Sequence, residues 1–383
     1  MTRRIAVVTT SRADYSHLYW VLRDLEDHPE IDLRLIVTGA HLAREFGSSV
    51  EEIEADGFRV DERVECLLSS DTDVGMAKTI GVATLGLAEA LGRLRPDLLL
   101  LIADRYEMLA PASVALALRI PIAHIEGGDV SEGAIDDAVR NALTKMSHLH
   151  FTPTENARRR VVAMGEEPWR VQRAGAPSLD QLLRNTMIER DALQRELGVR
   201  FEDDAIVVAY HPVTLSRDTL CEADAMFGAL ERLEGQVLFC FPNADAGSRE
   251  LIRRAEAFCD ARTSARLFVN LHPLRYWSLL HQAGVMLGNS SSGIMESPSL
   301  ALPCVNVGIR QRGRERAANI LDAAPETDAI VAAVERARSD EFRRSLEGMV
   351  NPYGDGTAAR RIVETLASTE LGDRLLIKKA VPL

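Results

Sequence analysis

Short apolar runs rich in β-branched residues recur along this chain, each followed by a stretch with helical spacing, and that alternation leaves few folds open. RIAVVTT (4–10), DLRLIVTG (32–39), PDLLLLIA (96–103), PIAHIEG (121–127) and a weaker HLHFTP (148–153) form one series. The pattern then restarts with AIVVAYHP (205–212), QVLFCFPN (236–243), ARLFVNLH (265–272), GVMLGNS (284–290) and PCVNVG (303–308). Strands alternating with helices at this spacing build parallel sheets covered on both faces. Two such series predict two Rossmann-like domains. The stretch PSLDQLLRNTMIERDALQRELG between them reads as one long helix or two, polar enough to join the domains near 175–200.

A chain of 383 residues is long enough for two cores of ordinary size, and 46% hydrophobic against 27% charged residues is globular composition. The net charge of −12 argues against nucleic acid as a partner, because that affinity rests on many lysine and arginine contacts to phosphate. No segment reads as a signal sequence or reaches the roughly 18 apolar residues of a membrane span, so no membrane association and a cytoplasmic location are expected. Cys66, Cys221, Cys240, Cys259 and Cys304 stand without any CxxC pair, as free thiols do in a reducing compartment.

In open α/β sheets ligands collect beyond the carboxyl ends of the strands. The unusual stretches follow those ends: TTSRADYSH, ADRYE, HIEGGDVSEGAIDDAVR, HPVT, NSSSGIMES and GIRQRGR. They come from both halves, which predicts one site in a cleft between the domains. NSSSGIMES places serine hydroxyls at a helix start, a device that holds anions. The arginines of GIRQRGRER and Arg12 from the other half suit the same anion, a diphosphate. Asp104, Glu126 and Asp136 form a carboxylate cluster in which one group acts as base while another keeps its proton. His211 is placed to assist a departing phosphate. The chain has neither GxGxxG nor a Walker A sequence, and its histidines match no zinc spacing, so no cofactor and no catalytic metal are expected.

Taken together, SRADYSHL, ADRYEMLA, HIEGGDVSEGAIDDAVR with NALTKMSHLHF, HPVT, GNSSSGIMESPS and GIRQRGR resemble the hydrolysing UDP-N-acetylglucosamine 2-epimerases that open sialic-acid and legionaminic-acid biosynthesis. The matches run in the family's order from about residue 5 to 320. The resemblance implies a glycosyltransferase-B-like fold: a first domain over 1–175, a UDP-binding domain over 176–356, and a C-terminal helix (about 357–383) packing back on the first. By motif position the family's catalytic residues fall on Asp104, Glu126, Asp136 and His211. Its nucleotide contacts fall on Arg12, Ala13, Asp14, Arg105, Ser290, Ser291, Glu296 and Arg310. Two departures are small: Ala103 stands where glycine is usual, and Asp129 where glutamate is commoner.

The implied reaction takes UDP-N-acetylglucosamine to N-acetylmannosamine and UDP through a 2-acetamidoglucal. The alternative is the same chemistry on a UDP- or GDP-linked 2,4-diacetamido-2,4,6-trideoxyglucose. A sensor that binds a nucleotide sugar without turnover is more remote. Family analogy adds a homo-oligomer, dimer or tetramer.

Overall fold

Each of the ten apolar runs forms a strand, and every pairing is parallel. The computed structural model describes residues 2–43, 49–68, 72–132, 135–211, 221–241, 248–269 and 271–380. Pro212, Val213 and Thr214 of the HPVT motif lie outside those residues, as do Gly133 and Ala134.

The first sheet comprises β1 (Arg3–Thr9), β2 (Ile31–Thr38), β3 (Val60–Val64), β4 (Leu98–Ile102), β5 (Ile122–Ile125), β6 (Leu149–Thr152) and β7 (Val171–Arg173), in the order β3-β2-β1-β4-β5-β6-β7. The second comprises β8 (Ile206–Ala209), β9 (Val237–Phe241), β10 (Ala265–Val269), β11 (Val285–Gly288), β12 (Cys304–Val307) and β13 (Ile320–Ala323), in the order β10-β9-β8-β11-β12-β13. Three strands, β3, β7 and β13, went unread in the sequence. All three are sheet edges with mostly half-exposed residues, so none carries the continuous apolar run of a strand buried on both faces.

In the first unit, helices α1 (Arg12–Glu26), α2 (Val50–Ala55), α3 (Asp73–Leu94), α4 (Leu109–Leu118) and α5 (Ile135–Met146) follow the strands. All five β4 residues are fully buried, in one core with Leu18, Leu22 and Leu25 of α1 and Leu87 and Leu91 of α3. Contrary to the sequence reading, one segment meets the length and hydropathy of a membrane span: Val74–Leu94 of α3, with mean hydropathy 1.3. Its Ala83, Leu87, Ala90 and Leu91 belong to the core.

The chain divides between Gln181 and Leu182 and again between Pro352 and Tyr353, rather than near 175 and 356, and residues 130–132 group with the second unit. Hydrogen bonds account for the displaced boundaries. Asp180 accepts from the backbone N–H groups of Ala358 (3.0 Å) and Ala359 (3.3 Å), and Ala176 N–H donates to Tyr353 O at 2.8 Å. The helix Ala358–Ser368 then buries Ala359, Ile362, Val363 and Leu366, spaced for one helical face, in the core of the first unit. Residues 178–197 form two helices, Ser178–Arg184 and Arg190–Leu197.

Candidate active site

Strand order decides where a crevice opens in each unit. In the first, β1 and β4 are neighbours from which the sheet runs outward in both directions; in the second, β8 and β11 play that part. Ligands bind at such switch points, outside the carboxyl ends of the strands. Arg12, Ala13 and Asp14 follow β1, Asp104 and Arg105 follow β4, and Glu126 follows β5. His211 follows β8, Ser290, Ser291 and Glu296 follow β11, and Arg310 follows β12.

Two of the strand ends in the first unit turn through left-handed backbone: Ala103 has φ 58° and Glu126 has φ 66°. Side chains other than glycine adopt this region at a cost, and such strain gathers at working sites. At Ala103 the turn is held from both sides. Its N–H donates to Ile125 O at 3.0 Å, and His124 Nε2 lies 2.8 Å from its carbonyl oxygen. Burial pushes the His124 imidazole down to about 4, so it serves as a neutral donor here. Behind Glu126, a Cβ on Gly128 (φ 76°) would lie 2.3 Å from Ala157 O, which reserves that position for glycine.

The turn at Ala103 delivers Asp104 to Arg140, a residue the sequence reading had not singled out. Arg140 Nη2 donates to Asp104 Oδ2, and the two side chains are 3% and 19% exposed. Asp136 and Arg140 stand four residues apart on α5 and therefore share a face. That spacing was a readable signal in EGAIDDAVR. Burial, and then the neighbouring Asp104 carboxylate, hold the Asp136 carboxyl above its ordinary value. Asp104 is thus paired with a buried guanidinium, whereas Asp136 is held toward its protonated form.

Other expected residues have local partners. Asp14 accepts from Thr10 N–H at 2.6 Å, from Thr10 Oγ1 at 3.0 Å and from Ser11 Oγ, tying the first turn of α1 back to the end of β1. Its carboxylate therefore shapes the β1–α1 turn. Arg12 makes a two-pronged pair with Glu52 of α2, Arg105 lies 2.9 Å from the buried Glu107, and Ala13 is exposed on the first turn of α1. One turn further along α1, His17 Nδ1 lies 3.0 Å from Glu126 Oε1. Nothing in SRADYSHL marked this histidine, because its partner is 109 residues away.

In the second unit the organising residue is Asn289, fully buried at the end of β11. Its side chain accepts from His211 N–H (2.7 Å) and donates to His211 O (2.8 Å), clamping the backbone that carries the histidine. Its carbonyl oxygen accepts from Arg310 Nη1 at 3.0 Å and Gln311 Nε2 at 2.9 Å. Ser290 caps the helix Ser291–Met295, lying 2.9 Å from Ser292 Oγ, and Glu296 is buried at the helix end. This one asparagine brings His211, Ser290 and Arg310 together. The arginine run does not converge as expected. Arg316 is bound to Asp322 of β13, Arg314 donates to Val130 O, and Arg312 lies 3.9 Å from Glu132, which leaves Arg310 as the member tied to the serine loop.

Residues 23–367 match the family described as UDP-N-acetylglucosamine 2-epimerase. A Campylobacter jejuni protein described as GDP/UDP-N,N'-diacetylbacillosamine 2-epimerase (hydrolyzing) is 34% identical over 384 residues, covering 100% of this chain and 99% of its own. A Legionella pneumophila protein described as UDP-N,N'-diacetylbacillosamine 2-epimerase (hydrolyzing) is 35% identical, covering 99% of each chain. Among solved structures, UDP-GlcNAc 2-epimerase from Neisseria meningitidis bound to UDP-GlcNAc superposes with a TM-score of 0.83 at 18% identity, over 96% of this chain and 100% of that one. At that identity the likeness is one of fold: two Rossmann-like sheets, glycosyltransferase-B-like.

Proposed function

The chain belongs to the UDP-N-acetylglucosamine 2-epimerase family and is a hydrolysing 2-epimerase of a nucleotide sugar; from that premise we propose that its substrate is a UDP- or GDP-linked 2,4-diacetamido-2,4,6-trideoxyglucose. N,N'-diacetylbacillosamine is such a sugar. Two relatives named for it match over essentially their whole length, and this supports the substrate over the sequence-based first expectation of UDP-N-acetylglucosamine. That first expectation is kept as the second reading because the family description names it.

The observation that carries the mechanism is the unequal treatment of Asp104 and Asp136. A carboxylate, assigned to Glu126, removes the C2 proton while the C1–O bond to the nucleotide breaks. The C–H electrons become the C1–C2 double bond of a 2-acetamidoglucal. Asp136, whose environment favours the protonated form, is assigned the return of a proton to C2 from the other face as water adds at C1. Asp104 supplies the negative charge that keeps the proton on Asp136. His211 assists departure of the diphosphate. Ser290, Ser291, Glu296 and Arg310, with Arg12, Ala13, Asp14 and Arg105 from the first unit, are assigned the nucleotide. Preorganised donors of this type act without rearranging when charge develops.

The deciding experiment is NMR of the purified protein in heavy water with UDP-N-acetylglucosamine and, separately, the 2,4-diacetamido nucleotide sugar. The expected result is a free sugar deuterated at C2, formed with the higher kcat/KM from the diacetamido substrate. Hydrogen retained at C2 throughout would remove the elimination mechanism; faster turnover of UDP-N-acetylglucosamine would establish the second reading.

A homo-oligomer belongs to the same proposal, supported by the exposed Val74, Val82 and Leu85 along one side of α3, and sedimentation velocity would report a monomer if it is wrong. The thiols of Cys66, Cys240, Cys259 and Cys304 are free, which supports a reducing, cytoplasmic setting.

A further inference from the structure

The first unit holds two histidine–glutamate pairs, and their surroundings give them different uses. His150 Nε2 lies 3.2 Å from Glu166, with both side chains wholly buried. Lys145 (2.5 Å) and Lys378 (2.7 Å) reach the same carboxylate from the surface side, so Glu166 is surrounded by three donors. Such a pair ties β6 to the C-terminal segment and has no access to a substrate. His17 and Glu126 are built otherwise. Their side chains are 26% and 10% exposed, and the carboxylate stands at the end of β5, beside the strand that ends in Asp104.

Both partners sit on fixed supports. The bonds that Asp14 accepts from Thr10 and Ser11 set the start of α1, and Gln181 Nε2 donates to Ser16 O at 3.0 Å, one residue before the histidine. His17 lies four residues after Ala13 and shares its face of the helix. Glu126 is held by its own strained backbone, whose N–H donates to Phe151 O at 2.8 Å. A hydrogen bond of 3.0 Å between two anchored groups fixes a side-chain orientation, which is what a carboxylate exchanging protons with carbon requires.

We propose that His17 is a positioning residue for the proton chemistry of Glu126: its Nδ1–H donates to Oε1 and holds the carboxylate in one orientation through the catalytic cycle. This rests on the assignment of Glu126 as the base. When Glu126 takes the C2 proton, the C–H electron pair enters the C1–C2 bond and the nucleotide leaves with the C1–O pair. His17 keeps its own proton in both states, because the oxygen it contacts accepts whether the group is carboxylate or carboxylic acid.

The test uses the full-length enzyme with His17→Leu, His17→Asn and Glu126→Gln, following kcat, KM and C2 deuteration. His17→Leu should lower kcat by about 10–100-fold, the size seen for hydrogen-bond partners that orient a working ligand elsewhere, with KM within about twofold. His17→Asn, whose amide nitrogen occupies the place of Nδ1, should restore kcat to within about threefold of the unaltered enzyme, on the premise that the donor is what counts. Wild-type kcat in His17→Leu, or an Asn variant as slow as the Leu variant, overturns the proposal even if Glu126→Gln is inactive. An active Glu126→Gln removes the assignment of Glu126 itself. Should His17→Leu not fold, the imidazole ¹⁵N shifts of the unaltered protein decide: hydrogen on Nδ1 is the expected result, and hydrogen on Nε2 alone overturns the bond.

Discussion

Asp136→Asn is expected to lower turnover by about 10²–10⁴-fold, the usual worth of a general acid, and yet to yield a protein that melts higher than the original at pH 7. The second half follows from the sign of the shift. Burial and the Asp104 charge raise the Asp136 carboxyl in the folded chain, and they prevail over the Arg140 and Arg105 charges and the backbone hydrogen bond that favour ionisation. A folded state that binds a proton more tightly than the unfolded state loses stability as pH rises from the ordinary aspartate value through the raised one. Asparagine, which does not titrate, escapes that loss. The difference in Tm between variant and original should therefore be present at pH 7 and shrink as pH falls below the ordinary aspartate range. An Asn variant that melts lower at pH 7, or one that turns over normally, would contradict the assignment.

The largest loss of stability is expected from Arg140→Met. Its guanidinium is almost wholly buried against Asp104, and removing one member of a buried pair leaves the other charge without its counterion, at a cost of roughly 3–5 kcal/mol. The Arg12–Glu52 pair makes a useful contrast. With side chains 44% and 55% exposed it sits in high dielectric, where such pairs contribute about 0–1 kcal/mol. Urea denaturation of the two arginine variants should separate them clearly. The Arg140→Met, Asp104→Asn double variant should recover part of the loss, because the stranded charge is gone. A loss below about 1 kcal/mol for Arg140→Met would mean that Asp104 finds water or another donor and that the pair does not hold the site.

The fold was legible wherever burial is complete. A parallel strand with helices on both faces must be apolar at nearly every position, so Leu98–Ile102 and Val285–Gly288 announce themselves as short continuous runs. β3, β7 and β13 did not, because a sheet edge needs only part of that burial. The long helix α3 was missed for another reason: its Val74–Leu94 segment meets the length and hydropathy of a span although glycines and polar residues interrupt the apolar run, and it places Ala83, Leu87, Ala90 and Leu91 in the core of its unit.

The candidate residues were legible as types at strand ends, since glycines, serines and carboxylates after a buried strand are where a parallel sheet collects ligands. What each does locally was not. Asp14, proposed as a ligand contact, also accepts three bonds within its own turn, and Arg312, Arg314 and Arg316 have neighbours outside the serine loop, partners that no local pattern announces.

By itself, then, the sequence determined that the chain forms two parallel α/β sheets and which strand ends carry unusual chemistry, because both follow from short-range pattern and burial. Only the tertiary structure decided the pairings: Arg140 with Asp104 across 36 residues, Asn289 with the His211 backbone across 78, and His17 with Glu126 across 109. The reason is physical. Parallel strands joined by crossovers are ordered in the sheet by topology, so β1, β4 and β5 end side by side although the chain visits them far apart. An arginine, an asparagine and a histidine of ordinary sequence context take their roles from whichever strand end that order sets beside them.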